Sequence, residues 1–215
     1  YEIHERLVGS EMCIRDSFTV DTLGGVVKCV VSKGGDFITV DMGRVSFDSE
    51  KIPVIGPKRE VVNEEFEING KKYKYCCATV GNPHCVLPMK EVSEKLAREI
   101  GPVIENMTSL FPNRTNVQLL QVIDRNNIKI EIWERGAGYT LASGSSSSAA
   151  ASVAHKLGLC DGDITVHMEG GDLSIKIAPD YSITMSGPAT KVGVYEMSPS
   201  VLTQNCLLYT SPSPR

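Results

Sequence analysis

Residues 133–146 bring together charged, glycine and serine residues in an order that can support chemistry. Glu134 and Arg135 end a strand-like stretch and are followed by a glycine-rich turn. A run of small residues, 145–157, then predicts a helix with Gly158 after it. The first amides of a helix lack partners and carry partial positive charge, so they can hold a carboxylate without a lysine or a metal. The segment therefore predicts an anion site, with a purely structural turn as the alternative.

The elements that would position this segment are mostly β-hairpins. Residues 26–32 and 37–43 flank a glycine-containing turn. Asn69 and Gly70 separate two further strands, and both residue types tolerate the positive φ angles of a type I′ turn. Period-two alternation recurs at IKIEIW, DITVHM, DLSIKI and YSITM. The patterns predict a largely antiparallel sheet.

Two helices interrupt the strands. Val92, Leu96 and Ile100 recur every fourth position, which predicts a surface helix ending at Gly101 as its C-terminal cap. The second helix, at 145–157, consists almost entirely of small side chains. Such a helix can approach neighbouring backbone closely on every side, so we expect it to be enclosed by a curved sheet.

Composition excludes several classes of function. The chain has 215 residues, a formal net charge of -4 and a pI near 5.6, without a basic stripe for nucleic acid. It contains no apolar run of the roughly 20 residues that span a bilayer and no signal-peptide pattern at its start, so a cytoplasmic protein is expected. The seven cysteines fit neither a disulfide framework nor a metal motif, and we expect them to be reduced. Cys29, Cys76, Cys77 and Cys85 are expected to be small apolar residues in or beside strands.

Five motifs in order resemble the diaminopimelate epimerase family, which comprises cofactor-independent amino-acid epimerases and racemases. The resemblance covers residues 18–198. The motifs are Gly81-Asn82-Pro83-His84, Gly101-Pro102, Phe111-Pro112-Asn113-Arg114-Thr115-Asn116-Val117, Trp133-Glu134-Arg135-Gly136-Ala137-Gly138 with its continuation to Ser145, and Ser186-Gly187-Pro188-Ala189.

The resemblance implies an α/β (α+β) fold of two pseudo-symmetric lobes, each a curved, mostly antiparallel sheet wrapped around a central helix. It implies proton transfer at an α-carbon by two thiols on opposite faces, with helix N-termini binding the α-carboxylate and with no cofactor or metal. The expected partner is a small-molecule amino-acid substrate, and a homodimer is expected by resemblance alone. The candidate catalytic residues are Ser143, Glu134 and His84, and the candidate substrate-binding residues are Asn82, Asn116, Glu134, Arg135, Gly144 and Ser145.

The chain departs from the family pattern at its reactive positions. Ser143 stands where the family has its second catalytic cysteine, and a serine hydroxyl is a poor base without a partner. Tyr139 stands where the family usually has glutamate. No segment matches the family's first cysteine motif, since Cys13 lacks its Gly-Asn context, and we expect that motif to have been lost by truncation.

Residues 1–17 and 199–215 are expected to be artefactual or disordered, because they lack sustained periodicity. Residues 18–48 with a last strand at 190–198 are predicted to form an incomplete N-terminal lobe. Residues 49–189 are predicted to form the complete C-terminal lobe.

The expected function is interconversion of LL- and meso-diaminopimelate in lysine biosynthesis, although this fragment alone is expected to be inactive. Two alternatives stay open. One is a racemase of another amino acid or a one-base lyase. The other is an amino-acid-binding homologue that has lost catalysis. Incorporation of solvent deuterium, with or without stereoinversion, discriminates among them.

Overall fold

Strands dominate the part of the chain that the structure, a computed structural model, describes: residues 17–22, 25–32, 35–190, 192, 193 and 196. The strands are β1 (Ser17–Thr22), β2 (Gly25–Ser32), β3 (Phe37–Arg44), β4 (Glu64–Ile68), β5 (Lys71–Thr79), β6 (Pro83–Met89), β7 (Asn116–Asp124), β8 (Asn127–Glu134), β9 (Gly138–Thr140), β10 (Asp163–Met168), β11 (Gly171–Ile177) and β12 (Ser182–Pro188). The helices are α1 (Glu94–Glu105) and α2 (Gly144–Lys156). Neither helix is long and apolar enough to span a membrane.

The described strands join into one sheet that curves around α2. Its order is β1-β2-β3-β12-β11-β10-β8-β7-β6-β5-β4, and β9 pairs with β8. Only β6–β7 and β8–β10 are parallel among these described pairs. The helix α2 contacts strands as far apart in this order as β12 and β5. The predicted α+β class, with a mostly antiparallel sheet wrapped around a helix, is confirmed.

The hairpins predicted from turn residues are present. Strands β2 and β3 pair in antiparallel register, as do β4 and β5. Asn69 and Gly70 have φ angles of 52° and 77°, as a type I′ turn requires. The short strand β9 was not predicted, because three residues within a glycine-rich turn carry too little alternation to detect.

Helix α2 is enclosed as its composition predicted. Every residue from Ser146 to Ala154 is buried. The buried hydroxyl groups of its serines need hydrogen-bond partners, and two of them donate to backbone carbonyls one turn earlier in the helix. Ser148 Oγ donates to Gly144 O at 2.9 Å, and Ser152 Oγ donates to Ser148 O at 2.7 Å. A buried hydroxyl with such a partner avoids most of its desolvation cost.

The predicted end of the first helix at Gly101 is wrong. Helix α1 continues through Gly101 and Pro102 to Glu105. Gly101 serves packing rather than capping: a Cβ atom there would lie 2.5 Å from Cγ of Trp133. Sequence periodicity could not show this, because the contact joins a helix to a strand about thirty residues away.

We expect Gly101→Ala to lower the free energy of unfolding by about 1–2 kcal/mol. Overpacking against a ring that is close to its own backbone costs about 2–3 kcal/mol, and the better helix propensity of alanine returns about 1 kcal/mol. Urea denaturation measures the change. The control Lys95→Ala, on the exposed side of α1, should stay within about 0.5 kcal/mol of the parent. Equal stabilities of the two variants would contradict the packing argument.

Several predictions concern segments outside the described residues. Residues 1–16, which include Cys13, and residues 197–215 lie outside the described part of the chain, whereas Ser17 begins β1. The last strand predicted at 190–198 falls largely on undescribed positions, and its described residues are not in a strand. The division into lobes stays a prediction.

Candidate active site

Three strand ends meet beside the N-terminus of α2. Strands β6 and β7 are parallel, so their first residues are neighbours, and His84 is in register with Asn116. Strand β8 runs antiparallel to β7, and therefore Trp133 at its end lies opposite Val117. The topology thus brings the Asn82–His84 segment, Asn116 and the Glu134-Arg135 pair to one end of the sheet.

Ser143 is the N-cap of α2. Its backbone is extended (φ -155°, ψ 125°), and its Oγ accepts from the amide of Ser146 at 3.4 Å. Its carbonyl oxygen accepts from the amide of Ser147 at 3.0 Å. In the part of the chain that the structure describes, the amides of Gly144 and Ser145 make no hydrogen bond. Because Ser143, Gly144 and Ser145 are only half-buried, these two donors are available to an anion.

Asn82 connects this helix start to strand β6. Its Nδ2 donates to Ser145 Oγ at 3.4 Å, and its Oδ1 accepts from His84 Nε2 at 2.9 Å. That second bond assigns the proton of a neutral His84 imidazole to Nε2. Three of the predicted site residues therefore form one chain of hydrogen bonds.

Gln118 belongs to the same polar group, although sequence reasoning missed it. It is fully buried and donates from Nε2 to Ser146 Oγ at 3.0 Å. His84 Nδ1 and Gln118 Oε1 are buried without a partner of good hydrogen-bond geometry among the described residues. The stretch Val117–Val122 contains two glutamines, Gln118 and Gln121, so its sequence alone does not single out Gln118.

His84 is uncharged in this setting. Burial lowers its pKa from 6.5 to about 3, the charge of Arg135 acts in the same direction, and the amide of Gln118 opposes the shift. His84 has no exposed surface. In this structure the neutral imidazole donates to Asn82 Oδ1 and so orients that amide, and the catalytic role of His84 stays a prediction.

Asn116 holds the start of the glycine-rich turn. Its Nδ2 donates to Pro83 O at 2.8 Å, and its Oδ1 accepts from the amide of Arg135 at 2.9 Å. The guanidinium of Arg135 donates to Asn113 O at 2.8 Å. Asn116 thereby links the start of β6 to the Arg135 backbone. Both polar atoms of its side chain take part in these two bonds.

Glu134 reaches toward the chain that enters α2, accepting from Thr140 Oγ1 at 3.4 Å. No hydrogen bond among the described residues joins Glu134 or Arg135 to Ser143. The structure therefore brings the predicted residues into two groups. Asn82, His84 and Ser145 are at the helix, and Asn116, Glu134 and Arg135 are at the turn.

Tyr139 points to the opposite face of the sheet from α2. Its hydroxyl donates to Glu131 Oε2 at 2.7 Å, and the guanidinium of Arg98 from α1 lies 4.5 Å from its ring centre. Burial and the bond to Glu131 raise its pKa. Tyr139 therefore packs with α1 and with Glu131 of β8.

The described cysteines are free and buried, as expected. Burial raises the pKa of both Cys76 and Cys77. Cys77 and Cys85 pack in the apolar cluster under α1. A thiol that is buried in this way ionises less readily, so these side chains have no helix-end environment that would make a reactive thiolate.

A cavity of about 490 Å³ lies at the other end of α2, beside Lys156, Tyr181 and Arg44. It contains none of the predicted site residues. Lys156 pairs there with Glu60 at 2.8 Å, and Arg44 pairs with Asp180 at 2.9 Å. Within the described residues, no group of three or more histidine, cysteine or acidic side chains could hold a metal ion.

Known proteins are similar to this chain in sequence and in fold. A family profile described as diaminopimelate epimerase matches residues 76–192. Diaminopimelate epimerase 2 of Nostoc sp. is 51% identical over 184 residues, covering 86% of this chain and 64% of that protein. Diaminopimelate epimerase of Moorella thermoacetica is 38% identical over 181 residues, covering 82% of this chain and 64% of that protein. The chain thus spans just under two thirds of these relatives.

Solved structures agree on the fold. A probable proline racemase from Agrobacterium radiobacter superposes with a TM-score of 0.63 at 11% identity, covering 90% of this chain and 63% of that one. A hydroxyproline epimerase from Agrobacterium vitis gives 0.59 at 12% identity, covering 81% and 57%. At such identities the likeness concerns the fold alone. The sequence matches go further, and by them the chain belongs to the diaminopimelate epimerase family.

Proposed function

We propose that this chain carries the carboxylate-binding part of an amino-acid epimerase that interconverts LL- and meso-diaminopimelate without a cofactor. Relatives named diaminopimelate epimerase support the reaction. The observation that carries the proposal is the pair of free amides at Gly144 and Ser145, directly beside position 143. Amides held in this way attract an α-carboxylate and stabilise the negative charge that develops on it when the α-proton leaves.

The turn that follows β8 supplies the other contacts in this proposal. Glu134 accepts from the substrate ammonium, and the Arg135 guanidinium pairs with the distal carboxylate of a dicarboxylic amino acid. Asn82 orients the substrate at the helix start, and the hydrogen bond from His84 holds the Asn82 side chain in place. Asn116 keeps the Arg135 backbone in place, as its bond to that amide supports.

The proton transfer needs two groups on opposite faces of the α-carbon. One group takes the α-proton as a base while the other gives a proton to the opposite face, so the substrate inverts and the two groups exchange protonation states. In this proposal position 143 is one of them, and a cysteine from a motif N-terminal to this chain is the other. No step requires an electron sink beyond the helix-end amides.

The hydrogen bonding of Ser143 favours a second candidate, a one-base reaction. Its Oγ accepts from the Ser146 amide, which is the geometry of an ordinary helix cap. A hydroxyl without a neighbouring base ionises far too weakly at neutral pH to remove an α-proton. With the upstream thiol alone, the site would exchange the α-proton on one face or eliminate a β-substituent.

Incubating the full-length protein with LL-diaminopimelate in deuterium oxide tests both candidates. Inversion to the meso isomer with α-deuteration supports the epimerase. Deuteration with retained configuration supports one-base exchange. Binding of diaminopimelate by calorimetry without deuteration would overturn both and favour a binding protein.

A further inference from the structure

Glu105 is a buried acid that the proposed chemistry does not use. It is the last residue of α1 and is 5% exposed. A carboxylate is unfavourable at a helix C-terminus, where the helix dipole is negative, and burial removes its solvation as well. Its position therefore calls for strong compensating contacts.

Three donors from other elements supply these contacts. The indole Nε1 of Trp133 donates to Glu105 Oε2 at 2.7 Å. The amide of Gly136 and the guanidinium of Arg114 donate to Oε1, each at 2.9 Å. Trp133 and Gly136 stand on either side of Glu134 and Arg135, so one carboxylate grips both ends of the segment that carries these two residues.

The packing of Gly101 makes this grip possible. Gly101 and Glu105 are four residues apart and thus lie on the same face of α1. The missing side chain at Gly101 lets Trp133 lie against the helix, and one turn later Glu105 meets the indole nitrogen. The rigid helix therefore fixes the turn from behind, on the side away from α2.

We propose that Glu105 is a positioning residue, which fixes the Glu134-Arg135 turn for the substrate's ammonium and distal carboxylate. The inference rests on the proposed function for its substrate. Because Glu134 and Arg135 touch groups that do not react, loosening them weakens binding more than it slows proton transfer.

Glu105→Gln in the full-length protein tests the proposal. The amide of glutamine cannot accept at both oxygen positions, so at least one of the three donors loses its partner. It is also uncharged, so the bonds that remain, including that of the Gly136 amide, are weaker than bonds to a carboxylate. We expect the Gly136 amide to exchange with solvent about tenfold faster. The indole N–H resonance of Trp133, the single tryptophan in the sequence, should shift. We expect KM for LL-diaminopimelate to rise about tenfold, with kcat changed less than about threefold.

Glu99→Gln is the matched control, because it removes the same charge from an exposed position of α1. Its Gly136 exchange and KM should equal those of the parent. The inference is overturned if Glu105→Gln behaves like this control, or if exchange accelerates while KM stays unchanged. Glu105→Asp, which keeps the charge one methylene short, should give intermediate values and serves if the glutamine variant does not fold. A parent without activity on diaminopimelate would refute the proposed function, and Gly136 exchange alone would then decide whether Glu105 anchors the turn.

Discussion

Ser143→Cys is expected to raise the epimerase rate of the full-length protein by about a hundredfold or more. A positioned acid or base contributes about 10²–10⁴-fold to a proton transfer. The free amides of Gly144 and Ser145 beside position 143 would lower the pKa of a thiol there and so favour the reactive thiolate. Conversion of LL- to meso-diaminopimelate, followed by chiral chromatography, measures the rate.

The control for this substitution is Ser143→Ala, which removes the hydroxyl without supplying a thiol. It should not raise the rate, and loss of the cap to Ser146 should cost about 1 kcal/mol of stability. A folded Ser143→Cys variant no faster than the parent would show that position 143 does not face the α-carbon.

The serine at 143 is well explained by local structure. Serine is among the strongest N-cap residues, and the Ser143 side chain and carbonyl together satisfy the amides of Ser146 and Ser147. A cysteine caps less well. Ser143→Cys should therefore raise the rate while lowering the stability of the helix start.

Local patterns predicted the elements of the fold where they depend on neighbouring residues. The Asn69-Gly70 turn follows from backbone preferences, and the burial of α2 follows from its small side chains. The predicted end of α1 was wrong because Gly101 is needed for close packing against Trp133, which is distant in sequence. Tertiary packing overrode a local capping signal there.

The candidate site shows the same difference between local patterns and tertiary contacts. The candidate residues at the helix start and the turn follow from motifs, but the contacts behind them do not. Gln118 and Glu105 act through side chains from separate elements, and neither one stands in a local pattern that marks it. Such supporting residues become visible only when the strands and α1 are in place.

Lowering the pH from 7 to 5 is expected to reduce the free energy of unfolding by about 2 kcal/mol through His84 alone. The unfolded chain binds a proton at this histidine near its ordinary pKa of 6.5, whereas in the folded state burial lowers that pKa to about 3. Between these values the unfolded state holds more protons, so stability falls as pH falls. Above about pH 6.5 both states are neutral and the effect disappears. Urea denaturation at the two pH values measures it.

Replacing the histidine isolates its contribution. His84→Gln cannot take up a proton, so its stability should change by about 2 kcal/mol less than that of the parent over the same pH range. Lys95→Gln, an exposed change that leaves every histidine in place, should keep the parent's pH dependence. The Cε1 proton of His84 in the folded protein should show no titration between pH 7 and 5. A titration midpoint of this resonance above pH 6 would mean that the buried imidazole becomes protonated in the folded protein. Gln118 and Asn82 would then bind an imidazolium rather than a neutral ring.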